Sequence, residues 1–131
     1  MIVFKVRRFA KWQMLENLSD TVLCEAVKEM QAGLIDACLG GLLYKKRVAS
    51  LGSGKRGGYR TMLSARLGSH YVFLYGFAKN EKSNITAAEQ RALQLAGKAI
   101  LDMSCDAANE ALRAGLLMEV CCDKQDYRIP A

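Results

Sequence analysis

The chain has 131 residues, enough for one domain, residues 1–131, that buries a sizeable core without help from a metal ion or a disulfide. Lys and Arg outnumber Asp and Glu by 19 to 13, and the excess precedes Ser83, since the residues from there onward hold 5 basic and 7 acidic side chains. No apolar run approaches the ~20 residues of a membrane helix, and the run before Lys5 is too short for a signal peptide, so we expect a soluble, cytoplasmic protein with no membrane partner.

The cysteines predict no structural site. They stand at positions 24, 38, 105, 121 and 122 without Cys-x-x-Cys spacing, and an odd, unpatterned set is typical of reduced thiols in a cytosol. Cys121 and Cys122 are neighbours, but two thiols and the single histidine of the chain make a poor set of ligands for a metal ion. We therefore predict that the cysteines are packing or tail residues and that the protein needs no metal or cofactor.

The first part of the chain predicts a strand and two helices. Residues 2–6 are mostly β-branched or aromatic and favour a short strand. Phe9 and Trp12 then fall on one helical stripe. Ser19 suits the N-cap of a second, amphipathic helix that ends near Gly33.

The period of the apolar residues changes to two after the glycines at 40 and 41. Residues 42–49, 59–66 and 71–78 are three predicted strands. A loop at residues 50–58 separates the first two, and a short turn at residues 67–69 makes the last two an antiparallel hairpin. The third strand is apolar on both faces and is therefore predicted to be central.

The C-terminal part predicts two further helices. A capping-box pattern at Thr86 opens the first, and Ser104 caps a second that ends at Gly115. Residues 116–120 are expected to form a short strand or to pack as a tail. Residues 121–131 have weak periodicity and are expected to be a flexible tail.

The middle of the chain carries charge of one sign. From residue 44 to residue 79 there are eight basic side chains and no Asp or Glu. A strand-forming segment of this kind predicts a surface that faces a polyanion, since ordinary surfaces mix both signs. Solvated edge residues are the alternative for any one of them but a poor account of all eight. The eight are Lys45, Lys46, Arg47, Lys55, Arg56, Arg60, Arg66 and Lys79.

Two other chemistries are disfavoured. Residues 52–58 are similar to a phosphate-binding loop, but Arg56 stands where Ser or Thr would bind magnesium, and Ala49 stands where a glycine is required. The segment also leads into a strand rather than a helix, so we interpret it as a basic connector. Hydrolysis by Ser or Cys needs a base beside the nucleophile, and His70 lies in or next to a turn without a predicted partner.

The basic residues suit cleavage of RNA by its own 2′-hydroxyl group. That reaction needs a base for the hydroxyl proton, a donor for the leaving oxygen and positive charge beside the phosphate. Lys45 and Arg47 are two residues apart and share a strand face, whereas Lys46 points to the other face. Arg60 and Arg66 likewise share a face of the next strand. Because arginine binds phosphate oxygens in a bidentate manner, the two strands are expected to present a phosphate-binding cluster.

Short collinear motifs resemble the RelE/ParE superfamily of toxins from bacterial type II toxin-antitoxin systems. They are Gly58-Tyr59-Arg60, a hairpin, and residues 73–81. Residues 40–49, 57–61 and 75–85 look more closely like the RelE-type, HigB-like branch, and the resemblance covers about residues 2–120. It implies an α+β, RelE-like fold with a small antiparallel β-sheet, two N-terminal helices packed on it and a helical C-terminal part.

The resemblance also implies a function and partners. RelE-type members enter the ribosomal A site and cut messenger RNA there, without metal, by the 2′-hydroxyl route, which inhibits translation. A cognate antitoxin is expected to cover the cationic face, and the ribosome and mRNA are the other implied partners. By position, the implied catalytic residues are Lys45, Arg47, Arg60 and Lys79, and the predicted RNA-binding residues are Lys46, Lys55, Arg56, Arg66, Tyr75 and Asn80.

Two positions depart from the family's pattern, and two other functions stay open. The second active-site arginine of the family falls at Asn80, and the tyrosine expected near the start of the following helix falls near Thr86. Tyr75, Tyr71 and His70 are the candidates to replace that aromatic residue. ParE-type relatives share the scaffold but inhibit DNA gyrase, and a non-catalytic basic RNA-binding module is the third interpretation. The basic strands favour RNA as the target.

Overall fold

The structure, a computed structural model, describes residues 1–50 and 54–122, apart from the side chains at positions 50 and 54–57. The side chains of Lys55 and Arg56, two predicted RNA-binding residues, therefore lie outside the described residues. The same holds for the predicted tail beyond residue 122.

Four helices and six strands occur in the described part of the chain. In chain order they are β1 (Ile2–Val6), α1 (Arg7–Leu15), α2 (Asp20–Gln31), β2 (Ala37–Gly40), β3 (Leu43–Ser50), β4 (Gly54–Arg66), β5 (His70–Ala78), α3 (Ala87–Leu101), α4 (Cys105–Arg113) and β6 (Leu117–Glu119). None of these helices is long and apolar enough to cross a membrane.

The strands form one sheet in the order β2-β3-β4-β5-β1-β6. β3, β4 and β5 are antiparallel neighbours, but β1 runs parallel to β5. The sheet is therefore mixed, and the prediction of an antiparallel sheet is wrong in this respect. The reason is the crossover: α1 and α2 carry the chain from β1 to the far edge of the sheet, where β2 begins. The α+β class is confirmed.

Both faces of the sheet are covered by helices. α1 and α2 pack on one face, where Phe9 and Val27 meet Phe73 in a buried cluster. α3 and α4 pack on the other face, over Val72 and Leu117. β5 is buried on both sides and lies between β4 and β1, which confirms its predicted central place.

Two local differences from the predicted elements come from pairing. β2 was not predicted, because its four residues carry no clear alternation and its pairing with β3 contains an irregularity between Cys38 and Gly40. The predicted loop at residues 50–58 is shorter in the structure, since β3 and β4 pair as far as Ser50 and Gly54. Residues 116–120 contain the strand β6, one of the two predicted alternatives.

The predicted helix caps are mostly confirmed. The Thr86 hydroxyl accepts a hydrogen bond from the Glu89 backbone N–H, and the Glu89 carboxylate accepts one from the Thr86 N–H. Ser104 caps α4 with its side chain. Ser19 occupies the N-cap position of α2, but its side chain makes no capping hydrogen bond.

A disulfide joins Cys24 on α2 to Cys122, just after β6, so the prediction of reduced thiols is wrong for these two residues. Their Cα atoms are 5.4 Å apart, although they are separated by 98 positions in the sequence. This long separation is why the pairing could not be inferred from cysteine spacing. Cys122 is also buried rather than part of a tail, whereas Cys121 is an exposed free thiol.

Candidate functional site

Three predicted catalytic cations lie on one face of the sheet, near the end that β3 and β4 share. Arg47 on β3 is directly opposite Arg60 on β4, and Lys45 lies two residues before Arg47. Because opposite residues of an antiparallel pair project to the same face, these three side chains form a group, which we call the basic face. The basic face lies on the same side of the sheet as α3, which covers other parts of that side.

Arg60 is the residue of the basic face with an unmet hydrogen-bonding need. Its Nη1 atom is buried and makes no hydrogen bond within the described residues. A buried donor without a partner costs on the order of 1–3 kcal/mol, and more when the group is charged. Such groups are rare in folded proteins and mark strain, a catalytic role or a bound water or ion, and the ligand that matches a guanidinium is a carboxylate or a phosphate.

Asp36, which precedes β2, orients Arg47. Its carboxylate accepts one hydrogen bond from the Arg47 backbone N–H and one from Nε, the latter at 3.0 Å. Burial raises the pKa of Asp36, but the hydrogen bonds from Arg47 outweigh burial and leave this pKa below its usual value. The Arg47 side chain is 46 % exposed, so its guanidinium is fixed on one side and accessible on the other.

Lys46 and Arg66, both predicted to bind RNA, lie elsewhere. Lys46 is on the opposite face, 3 % exposed, with its Nζ 2.8 Å from a Glu29 carboxylate oxygen and 3.0 Å from the Leu34 carbonyl oxygen. Arg66 is at the other end of β4 and donates to the Leu101 carbonyl oxygen and the Asp102 carboxylate. These two cations attach helices to the sheet and are not part of the basic face.

Lys79 and Asn80 follow β5 directly and are exposed. The backbone N–H of Lys79 donates to the Gly58 carbonyl oxygen at 3.3 Å, which places both residues at the same end of the sheet as Arg60. Lys79 therefore lies at the end of the hairpin, beyond the last paired residues of β4 and β5.

The three candidates to replace the missing aromatic residue lie at different ends of β5. His70 and Tyr71 are at the start of β5, about 25 Å from its end at the rise of a strand. The Tyr71 hydroxyl is buried and accepts a hydrogen bond from the Gly68 N–H. Tyr75 lies near the opposite end, on the face of Arg60, because Met62 is its partner on β4. Of the three, Tyr75 alone lies beside the basic face.

Lys82 is a neighbour of Tyr75 that the sequence analysis missed. Its Nζ lies 2.7 and 2.8 Å from the two Glu89 carboxylate oxygens and 3.4 Å from the Tyr75 hydroxyl. It also lies 5.3 Å from the centre of the Tyr75 ring and 5.9 Å from that of Phe77. The hydrogen bond to Glu89 raises the pKa of Lys82, and the same contact lowers the pKa of Glu89. The capping box was the available signal, because it turns Glu89 back toward the preceding loop.

Residues 1–120 match the family model described as RelE toxin of RelE / RelB toxin-antitoxin system. A search among curated proteins finds no similar sequence. Because the family match spans most of the chain, we conclude that the protein belongs to the RelE toxin family and is the toxin of a toxin-antitoxin system, with a cognate antitoxin as its partner.

Proposed function

We propose that this toxin is an endoribonuclease of the HigB-like branch that cuts messenger RNA on the ribosome without a metal ion and so inhibits translation. The family is generally one of mRNA-cleaving toxins, which supports the reaction class. The observation that carries the proposal is the buried, unpaired Nη1 of Arg60 in a group with Arg47 and Lys45. One cytoplasmic domain, residues 1–131, is proposed to perform the whole reaction.

In this proposal, the 2′-oxygen forms a bond to the adjacent phosphorus, and the bond from phosphorus to the 5′-oxygen breaks. Negative charge develops on the phosphate oxygens, which Arg60 and Arg47 bind and stabilise. A base takes the proton of the 2′-hydroxyl, and an acid gives one to the leaving 5′-oxygen. Lys45 and Lys79 are proposed for these transfers, because both lie at the end of the sheet where Arg60 and Arg47 would bind the phosphate.

The remaining assignments concern the strand of RNA on either side of the cleaved bond. Tyr75 offers an aromatic ring and a hydroxyl beside the basic face, and Asn80 offers an amide at the end of β5. We propose both as RNA-binding residues. Lys55 and Arg56 are retained as proposals from their charge alone.

The test is expression of the toxin without its antitoxin. The wild type should arrest growth and leave cleaved transcripts, and Arg60→Ala should remove both effects because the phosphate loses its guanidinium. Arg113→Ala removes the same charge from an exposed side chain on α4 and should cut RNA as the wild type does. Cleavage is measured by mapping transcript ends, and an Arg60→Ala protein that still cuts would refute the site.

Growth arrest with intact transcripts would refute the nuclease proposal. If the purified wild type then lowered DNA supercoiling by gyrase, the ParE-type function would replace it. RNA binding that weakens with salt but leaves the strand whole would indicate a basic RNA-binding module.

A further inference from the structure

A pocket lies at the open edge of β5, just beyond the end of β1. β1 pairs with β5 only from Ile2, opposite His70, to Lys5, opposite Phe73. The chain then turns into α1, so the last part of β5 faces α1 across a cavity of about 390 Å³. This volume is in the range of sites that hold small organic groups.

The walls of this pocket are largely aromatic and closely packed. α1 supplies Phe9 and Trp12, whose ring centres are 5.4 Å apart, and β5 supplies Tyr75 and Phe77, at 5.9 Å. Trp12 packs directly on the backbone of Gly76. A Cβ atom added to this glycine would lie only 2.3 Å from the indole ring. Phe9 and Phe77 are buried, so the partly exposed rings of Trp12 and Tyr75 are the ones that a flat ring in the pocket can contact.

The polar groups of the pocket nearly balance in charge. Arg8, Glu81 and Lys82 line it, but the Lys82 ammonium is already paired with Glu89. Arg8 and Glu81 enter no ion pair within the described residues, so they leave one cation and one carboxylate facing the cavity. Glu81 offsets the attraction that Arg8 would exert on a phosphate or an acidic peptide. A neutral, flat group with both donor and acceptor atoms matches this pair.

The pocket adjoins the basic face. Phe77, which forms part of its wall, is the direct partner of Arg60 on the neighbouring strand. Paired strands are only ~4.8 Å apart, so a phosphate held by Arg60 would be close to the pocket. The nucleotide that carries such a phosphate also carries a base, which is flat, neutral and polar and therefore matches the pocket.

We infer that this pocket binds the unstacked base of the nucleotide next to the cleaved bond. Single-stranded RNA is commonly recognised by bases that leave the stack and insert between aromatic side chains, with their edges hydrogen-bonded to polar groups. The inference rests on the proposed function and adds to it a base-binding site built from α1 and β5, with Arg8 and Glu81 at the edge of the base.

Trp12 provides the measurement, because it is the only tryptophan in the chain and lines the pocket. A short 2′-O-methyl RNA, which cannot be cut, is titrated into the purified toxin. Binding is followed by anisotropy of the RNA, and pocket occupancy by the fluorescence of Trp12. The comparison ligand is an abasic oligomer of the same length, which keeps the phosphates but has no bases.

We expect the RNA to change Trp12 fluorescence and the abasic oligomer to bind, at least about fivefold more weakly, without that change. Arg8→Ala should weaken RNA binding by a similar factor and leave the affinity for the abasic oligomer nearly unchanged. Arg7→Ala is the matched control, since Arg7 is the neighbouring arginine of α1 but lines a different groove. Arg7→Ala should weaken the binding of the RNA and of the abasic oligomer by the same factor.

Several results would overturn the inference. One is RNA that binds without changing the fluorescence of Trp12. Another is an abasic oligomer that changes this fluorescence as much as RNA does. If Trp12 responds to the antitoxin but not to RNA, the pocket belongs to the antitoxin instead. In these cases the proposed function stands as long as Arg60→Ala abolishes cleavage. RNA affinity that is unchanged by Arg60→Ala refutes the proposed phosphate site itself.

Discussion

At the scale of single residues, neighbouring cations of one strand have different roles. Lys45 and Arg47 project to the basic face, whereas Lys46, between them, is buried and paired with Glu29 on α2. Alternation along a strand gives this result directly, since successive side chains point to opposite faces. Charge alone does not distinguish a binding residue from a structural one, but the face on which it lies does.

We predict that Lys46→Ala lowers the free energy of unfolding by about 2 kcal/mol, because the substitution removes a buried ammonium that bonds both Glu29 and the Leu34 carbonyl. Arg60→Ala should leave it unchanged or raise it by up to about 3 kcal/mol, because the substitution removes a buried charged donor that makes no hydrogen bond in the described residues. Urea unfolding measures both. A Lys46→Ala protein of wild-type stability would contradict the structural role.

At the scale of elements, the N-terminus of α3 fixes the loop that follows β5. Thr86 and Glu89 cap the helix, and Glu89 also holds Lys82 over the rings of Tyr75 and Phe77. The cap therefore shapes one wall of the pocket beside the basic face. The capping residue Glu89, predicted from local sequence, therefore also makes a tertiary contact.

The Glu89 contact predicts a dependence of stability on pH. Hydrogen bonding from Lys82 lowers the pKa of Glu89 in the folded protein, so this stabilisation is present above the ordinary pKa of about 4.5. It is lost as the pH falls through the lower, folded-state pKa. Glu89→Gln keeps the capping box but loses the ion pair. The variant should therefore lose less stability than the wild type between pH 5 and about pH 3.

The measurement is thermal unfolding of both proteins across that range. The comparison with the wild type cancels the acid response of other carboxylates with lowered pKa values, such as Asp36 and Asp102. Parallel pH curves for the two proteins would show that the pair with Lys82 contributes nothing to stability.

At the scale of the whole molecule, the disulfide between Cys24 and Cys122 ties α2 to the end of β6. The link closes a loop over 98 positions and so spans most of the described fold. A cross-link of this length restricts the unfolded chain strongly. α2 is thereby held to the segment that follows β6, on the face of the sheet that α1 and α2 cover.

We predict that reduction of this disulfide lowers the free energy of unfolding by about 2–5 kcal/mol. Urea unfolding with and without a reductant measures the change, and Cys122→Ser should reproduce it. Cys121→Ser is the control, because Cys121 is an exposed free thiol next in sequence. A wild type that is equally stable with and without reductant would contradict the prediction.

The sequence by itself determined the local features of this protein. Apolar periodicity predicted the helices and the three long strands, and the cap residues predicted where α3 and α4 begin. Alternation predicted that Lys45 and Arg47 share a face, and short motifs indicated the family. These features depend on neighbours along the chain, which a sequence displays directly.

Only the tertiary structure decided what distant segments do to each other. It set β1 parallel to β5, joined Cys24 to Cys122, and assigned Lys46 and Arg66 to contacts with helices. It also brought Arg8 of α1 to the pocket beside Tyr75. Each of these depends on contacts between residues far apart in sequence, whose pairing is fixed by packing of the whole sheet and not by local pattern.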